Sequence, residues 1–259
     1  MNAVEVIGAP LTMVALTVPR IAAAFMVLPL VNGQNMPGLV RNSFFVSLAI
    51  FIYPVAATAA PTGVAPATWP LIVLKELFIG VALGFLFGSV FWAVSAAGNL
   101  IDSKVGSNFA SVVDPIQGHE TSLSGQLLAQ LAAWIFMANG AFTVFLQLLM
   151  TSYTVWPVGR MLPRLAAAGR ELFVSEFDSL LTLTLMLAAP ALVVLSLIDL
   201  CLGLINRYAQ QLNVFALTLP IKAWVATWII LLCLGTFIEV ITRRLLQSGG
   251  LLEVLRHVL

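Results

Sequence analysis

Long apolar segments alternate with short polar ones along this chain, and the pattern predicts helices. A helix that crosses a hydrocarbon core of about 30 Å needs about 20 mostly apolar residues. Apolar stretches of that order cover about 4–31, 40–57, 70–101, 122–155, 180–208 and 221–244. The prolines in the first stretch predict a kinked helix or two short ones. The stretch 122–155 is long enough for one long helix, or for a helix followed by an interfacial piece near Tyr153 and Trp156.

The composition of the chain indicates that these helices lie in a membrane. The chain is 61% hydrophobic and 9% charged, whereas soluble domains carry about 25% charged residues. We therefore predict an all-α integral membrane protein that contacts lipid. The net charge is +1 without a basic patch, which gives no sign of nucleic-acid binding. Cys201 and Cys233 lie in apolar stretches, where small core hydrophobes are expected. The N-terminus lacks a basic region and a cleavage site, so no removable signal peptide is predicted.

A polar interruption at 102–120 separates two long apolar segments. It reads DSKVGSNFASVVDPIQGHE. Its backbone groups would lose water and find no partners if they lay bare against lipid. The segment must therefore lie at an aqueous surface, be buried in protein, or line a water-filled passage.

The distribution of basic residues conflicts with six simple crossings. Lys and Arg are expected on one side of the membrane, yet the 102–120 and 157–178 loops, which fall on opposite sides, carry one lysine and three arginines. Either one helix is miscounted, or some segments are hairpins that never cross. The mixed-charge stretch 157–178 is predicted to be solvated and partly an amphipathic helix.

Asp199 is an acidic residue within an apolar helix, where a charge costs about 2.5–3.5 kcal/mol on insertion scales. At about 100° per residue, it shares a stripe of roughly 60° with three other polar residues, if the helix is unbroken. The stripe consists of Asp199, Asn206, Gln210 and Asn213, with Arg207 beside it. A stripe of this kind suits an aqueous lumen or a partner subunit, or a polar helix–helix interface within one chain.

Other charged and small residues have ordinary interpretations. Lys75 and Glu76 are expected at an interface, with Lys75 snorkelling. Lys222 and Glu239, near the ends of the last helix, are expected to snorkel or to pair between subunits. The ladder of Gly80, Gly84 and Gly88 indicates close helix packing.

Signatures of enzymes are missing from the sequence. There is no phosphate-binding Gly-Lys-Ser/Thr loop and no His-Glu-x-x-His. With two histidines and two cysteines, a metal site is not expected. We expect neither catalysis nor a cofactor.

Several segments taken in order resemble the FliR/SctT family of type III secretion export-gate proteins. They are KELFIGVALGF, FWAVSAAGNLIDSKVGSNFASVVDPIQGHETS, SYTVWP and NRYAQQLNVFALTLPIK. The similarity covers about residues 15–245. The FWAV…GNLID segment and the SY–WP pair are more similar to the injectisome branch, SctT, than to the flagellar branch, FliR.

The resemblance implies a subunit of a multi-subunit helical export gate in the bacterial inner membrane, within the secretion base. The implied partners are SctR-like, SctS-like and SctU-like subunits and secreted unfolded proteins in transit. Much of such a gate lies above the membrane plane, which would account for the charge conflict. The implied organisation is a single export-gate domain over 1–259. Its parts are an SctR-like region over about 1–178, an SctS-like hairpin over about 179–245, and an amphipathic tail over 246–259.

The resemblance also implies that the loop at 106–120 projects into the gate and helps to plug it. Glycines would give it backbone freedom, an Asp-Pro pair would fix a turn, and apolar side chains would close the pore. These residues are Gly106, Phe109, Val112, Val113, Asp114, Pro115, Ile116, Gly118 and Glu120.

Two other functions compete with a protein-conducting gate. One is a self-contained secondary transporter or ion channel that uses Asp199, Glu239 or Lys222 in coupling. That reading predicts inverted repeats, which the sequence does not display. The other is a membrane insertase or an assembly scaffold without a pore.

Overall fold

The regular structure of this chain is helical. The structure, a computed structural model, describes residues 3–30, 36–57, 68–106, 122–159, 167–208 and 214–247. Within those ranges the regular elements are seven α-helices, which confirms the predicted all-α class. They are α1 (Ala3–Val27), α2 (Gly38–Ala57), α3 (Trp69–Val105), α4 (Leu123–Ala138), α5 (Ala141–Val155), α6 (Ala167–Tyr208) and α7 (Val214–Gln247).

Prolines within the apolar stretches do not end the helices that contain them. Pro10 and Pro19 both lie inside α1, so of the two predicted alternatives, one kinked helix or two short ones, the structure has a single helix. Pro220 likewise lies inside α7, which begins at Val214. Membrane helices tolerate proline because neighbouring groups satisfy the freed carbonyls.

The apolar stretch 122–155 divides near its middle, at a place that the sequence analysis did not predict. α4 ends at Ala138 and α5 begins at Ala141. Gly140 between them has φ of 74°, a left-handed conformation that glycine adopts without steric cost. The break is therefore set by Gly140 and not by the aromatic residues at the far end of the stretch.

Among the residues that the structure describes, five helices are long and apolar enough to cross a membrane, and α4 with α5 makes a sixth candidate if the bent pair is one span. The five are parts of α1, α2, α3, α6 and α7. Burial within the chain differs sharply among them, since 67% of the α3 span is buried but only 22% of each span in α2, α6 and α7. The span in α3 is thus the most buried of the five, whereas the spans in α2, α6 and α7 are mostly not buried by the rest of the chain.

The described helices fall into two compact units. The first is drawn from Met1–Ser89, Met137–Glu176 and Leu245–Leu259, and contains α1, α2, the first part of α3, and α5. Its core is a group of phenylalanines around Phe25, whose ring lies 5.4 Å from Phe44 and 5.2 Å from Phe145 between centroids. α1 comes close to α3 at two glycines, since a Cβ on Gly84 would lie 2.6 Å from the Ala24 carbonyl oxygen.

The second unit is drawn from Val90–Phe136 and Phe177–Arg244. It contains the second part of α3, most of α4, and most of α6 and α7. Phe91 of α3 packs against Phe136 of α4, with ring centroids 5.4 Å apart. The Thr184 hydroxyl of α6 donates to the Ala93 carbonyl of α3 over 3.3 Å. The predicted division into an SctR-like region up to about residue 178, an SctS-like hairpin up to about residue 245 and an amphipathic tail stays a prediction.

Candidate functional site

The ends of the polar segment, and not its middle, are what the structure describes. Of the predicted plug residues only Gly106 lies within the described residues. The others, Phe109, Val112, Val113, Asp114, Pro115, Ile116, Gly118 and Glu120, lie outside them. The last turn of α3 and the first turn of α4 flank the segment, so the site is built from these two turns.

α3 ends in a conformation that suits glycine. The Gly106 N–H donates to the Asp102 carbonyl over 3.0 Å, and Gly106 has φ of 98°. A residue with a side chain is strained there. Gly106 thus turns the chain out of the helix where the polar segment begins.

α4 begins with a side-chain cap that is completed from α3. The Gly125 N–H donates to the Ser122 hydroxyl oxygen over 2.9 Å, as a serine at this position typically allows. The Asp102 carboxylate accepts two further bonds, one from the Ser122 hydroxyl at 2.7 Å and one from the Ser124 N–H at 2.9 Å. A carboxylate at a helix N-terminus is also favoured by the helix dipole. One side chain, Asp102, therefore holds both ends of the polar segment together.

Two facing glycines allow this junction. A Cβ on Gly98 would lie 2.7 Å from the Ser124 carbonyl carbon, and a Cβ on Gly125 would lie 2.8 Å from the Ser122 hydroxyl oxygen. Real Cβ atoms do not come that close, so α3 and α4 meet where neither carries a side chain. The sequence analysis missed this pair because the two glycines are 27 positions apart and belong to different helices.

A cluster of three charged residues lies at the same end of α3. The Asp199 carboxylate of α6 pairs with the Lys104 ammonium at 3.0 Å and with the Lys222 ammonium of α7. Lys222 also donates to the Lys104 carbonyl over 3.2 Å. The exposed fractions of the three side chains are 36% for Lys104, 35% for Asp199 and 11% for Lys222. We call these three residues the accessible cluster.

The structure brings together only part of the predicted polar stripe. Asp199 joins the accessible cluster, while Asn206 and Arg207 are exposed. Gln210 and Asn213 lie outside the described residues. Lys222 was expected to snorkel or to pair between subunits, but it is buried and its partner is Asp199 of the same chain. Glu239 pairs with Arg243 one turn later on an exposed face of α7.

A second charged cluster, in the first unit, is fully buried. The Arg20 guanidinium of α1 binds the Glu76 carboxylate of α3 through two nitrogens, at 2.6 and 3.0 Å. Both side chains are 0% exposed. Lys75 pairs with the same carboxylate at 2.8 Å and is 8% exposed. Lys75 therefore does not extend to water as the prediction of snorkelling required. We call Arg20, Lys75 and Glu76 the buried cluster.

The buried cluster also closes the end of α5. Arg20 donates to the Ser152 hydroxyl at 3.0 Å and to the Trp156 carbonyl at 2.8 Å. Lys75 donates to the carbonyls of residues 157 and 158 at 3.2 and 2.9 Å. Trp156 is the C-cap residue of α5, and a cation near a helix C-terminus is favoured by the helix dipole. The carbonyls of residues 157 and 158 follow the helix, so Lys75 holds the chain just beyond it.

Tyr153 completes this arrangement. The Arg20 guanidinium carbon lies 4.1 Å from the centre of its ring, and its hydroxyl donates to the Thr17 carbonyl over 2.9 Å. The sequence signal for the cluster was an arginine in an apolar stretch, since such residues almost always pair. No spacing rule joins Arg20 to a glutamate 56 positions later, so the partner was not predicted.

Among the residues described by the structure, no group of three or more His, Cys, Asp or Glu side chains is placed to hold a metal ion. The clusters join helices, and the accessible cluster does so at the base of the polar segment.

Comparison with known proteins places this arrangement in a family. Residues 11–248 match the family described as "Bacterial export proteins, family 1". The chain belongs to this family of bacterial export proteins. It is 35% identical over 229 residues to the Yop proteins translocation protein T of Yersinia pestis, covering 88% of each chain. It is 32% identical over 239 residues to the surface presentation of antigens protein SpaR of Salmonella typhimurium, covering 92% of this chain and 89% of that one.

A flagellar relative is also similar to this export protein. The flagellar biosynthetic protein FliR of Bacillus subtilis is 28% identical over 223 residues, covering 86% of each chain. The match confirms the FliR/SctT resemblance found from the sequence motifs. Together with the five apolar helices, family membership makes this export protein a multi-pass protein of the bacterial inner membrane.

Proposed function

We propose that this chain is a structural subunit of the type III secretion export apparatus and helps to form the inner-membrane gate through which unfolded proteins are secreted. Family membership carries the proposal. Relatives over most of the chain are named for translocation and for flagellar biosynthesis. The proposed partners are SctR-like, SctS-like and SctU-like subunits. The proposed role is structural and not catalytic, because the charged clusters join helices.

The segment 106–120 is proposed to restrict the passage. The support is the junction at Asp102, which holds the two ends of the segment together. A segment of about fifteen residues with joined ends can extend at most roughly 25 Å from its base. Its apolar residues Phe109, Val112 and Ile116 suit a narrow pore from which water and ions are excluded.

The first test removes the apolar part of the segment. Replacing residues 107–117 by glycine and serine at equal length keeps the junction at Asp102 and removes the side chains. We expect the apparatus to assemble, and the inner membrane to leak small ions and solutes. Assembly is measured by co-purification with the SctR-like and SctS-like subunits, and leakage by dye or ion flux in cells that express the whole apparatus.

An equal-length glycine and serine replacement of residues 58–67 is the matched control, since that segment also joins two helices. It should leave permeability unchanged. Normal permeability of an assembled 107–117 variant would contradict the plug. Failure to co-purify the unaltered chain with any partner, together with transport by the lone protein, would instead favour a self-contained transporter.

A further inference from the structure

Arg20 is a charged residue within a helix that is otherwise suited to cross a membrane. The candidate span in α1 is Pro10–Val27, and Arg20 is the only charged residue in it. Its side chain is 0% exposed, and its described hydrogen bonds go to Glu76, Ser152 and Trp156. An unpaired arginine near the centre of a span strongly disfavours insertion. α1 is therefore stable across a membrane only when partners from later in the chain are in place.

The carboxylate that neutralises Arg20 is synthesised after both α1 and α2. Glu76 is the first acidic residue after Arg20, since positions 21–75 contain no Asp or Glu. Glu5, the one acidic residue before Arg20, is 15 positions away, which is about 22 Å along a helix. The only charged residue of α2 is Arg41, a cation. At about 5–20 residues per second, the 56 positions from Arg20 to Glu76 take roughly 3–11 s.

The face of α3 that carries Glu76 also has the shape to receive α1. Glu76, Gly80 and Gly84 recur every four residues and so lie on one face of the helix. A Cβ on Gly80 would meet the Arg20 carbonyl oxygen. A Cβ on Gly84 would lie 2.6 Å from the Ala24 carbonyl oxygen. Charge neutralisation and close packing of α1 therefore come from the same face, and neither exists before α3 does.

We propose that Arg20 makes the membrane insertion of α1 conditional on α3, whose Glu76–Gly80–Gly84 face receives it. Before α3 is in the membrane, α1 stays at the membrane surface, where its charge is hydrated. Once α3 is in place, Glu76 neutralises Arg20 and α1 is retained across the membrane. The first unit is thus completed only in chains whose α3 has inserted. Arg20 and Glu76 are positioning residues, and this device does not depend on what the protein exports.

The test measures whether the middle of α1 lies inside the membrane of cells that express the full chain. Ala15 is an exposed position within the candidate span. Ala15→Cys, combined with Cys201→Ser and Cys233→Ser, places a single thiol there. A water-soluble maleimide is applied to opened membrane vesicles, so that it reaches both membrane surfaces. In this reporter chain we expect slow labelling, because an inserted α1 keeps the thiol away from water.

Removal of the carboxylate should keep α1 out of the membrane, and removal of both charges should return it. In Glu76→Gln we expect labelling about tenfold faster, because Arg20 is then a charge with neutral partners only. Adding Arg20→Met to Glu76→Gln should restore slow labelling, since the span of α1 then carries no charge. If the pair only held folded helices together, the double variant would label at least as fast as Glu76→Gln.

Two control variants separate insertion from packing. Lys75→Met removes the neighbouring cation but keeps the pair of Arg20 and Glu76, and it should label slowly. Gly84→Ala loosens the contact of α1 with α3 without changing a charge, and it should also label slowly.

The amount of chain in the membrane is a second readout if Glu76→Gln is degraded. The double variant with Arg20→Met should then accumulate to the level of the reporter chain. Slow labelling of an accumulated Glu76→Gln chain would overturn the proposal. So would fast labelling or degradation that persists in the double variant.

Discussion

At the scale of single residues, charge within apolar helices is what organises this chain. Arg20, Glu76 and Asp199 each lie in a largely apolar helix, and each has an oppositely charged partner on another helix. Such residues are costly in a membrane and therefore pair. Sequence analysis identified Asp199 by this argument. Arg20 was not singled out, although the same argument applies to it.

The buried cluster should dominate the stability of the first unit. Replacing Arg20 by Met leaves the Glu76 carboxylate buried beside Lys75 alone and removes a cap from α5. We expect the free energy of unfolding to fall by about 3–5 kcal/mol. The measurement is denaturant-induced unfolding in mild detergent, followed by helical circular dichroism.

Arg243→Met is the matched control for this substitution. Its partner Glu239 lies one turn away on an exposed face, where such a pair contributes about 0.3–0.5 kcal/mol. Equal losses in the two variants would mean that the buried cluster is no more important than a surface pair.

At the scale of elements, sequence periodicity and apolar length predicted most helices well. The observed bounds of α2 and α3 differ from the predicted ones by only a few residues. The break at Gly140 was missed because glycine is common in membrane helices and its left-handed conformation is not visible in the sequence. The stretch 157–178 was predicted to be solvated and partly an amphipathic helix, but not to be continuous with the apolar helix after it, as it is in α6 from Ala167 onward. Which helices touch was beyond prediction, since contacts depend on packing between distant segments.

The close packing of α1 against the glycine ladder of α3 can be tested by a single substitution. In Gly84→Ala the new methyl group would meet the Ala24 carbonyl and the Val27 side chain of α1. Overpacking of this kind costs about 1–3 kcal/mol. We expect a lower unfolding midpoint in detergent and weaker burial of α1, detected by faster hydrogen exchange in that helix.

Gly235 of α7 provides the opposite control. Nothing lies within 4 Å of a Cβ added there, and alanine favours a helix over glycine by about 0.5–1 kcal/mol. Gly235→Ala should therefore raise the unfolding midpoint slightly. If both substitutions shift it in the same direction, close contact between α1 and α3 is not what Gly84 provides.

At the scale of the whole molecule, much apolar surface is not covered by the chain itself. Trp224 and Trp228 are 71% and 58% exposed on one face of α7. A lone chain in a bilayer presents this face to lipid, whereas in the proposed gate we expect it to contact a neighbouring subunit. Composition predicted the membrane helices, but not which of their faces remain open.

Tryptophan quenching distinguishes these two environments. In a variant whose only tryptophan is Trp224, brominated lipids should quench the fluorescence of the isolated chain. Quenching should fall when the SctR-like and SctS-like subunits are co-assembled, because protein then replaces lipid at this face. A variant that retains only Trp156, whose carbonyl is held by Arg20, should respond equally in both states. Undiminished quenching of Trp224 in the complex would assign this face to lipid.

The single carboxylate that joins Ser122 to α3 has a practical consequence. Asp102 of α3 binds Ser122 and the Ser124 N–H at the start of α4, so both ends of the segment are held together. We therefore expect the stability of the helices to depend little on the number of residues between these two ends. Each doubling of a loop costs only about 0.6 kcal/mol in closure entropy. A short epitope or a fluorophore-binding tag inserted after residue 110 should therefore be accommodated without refolding the rest of the protein.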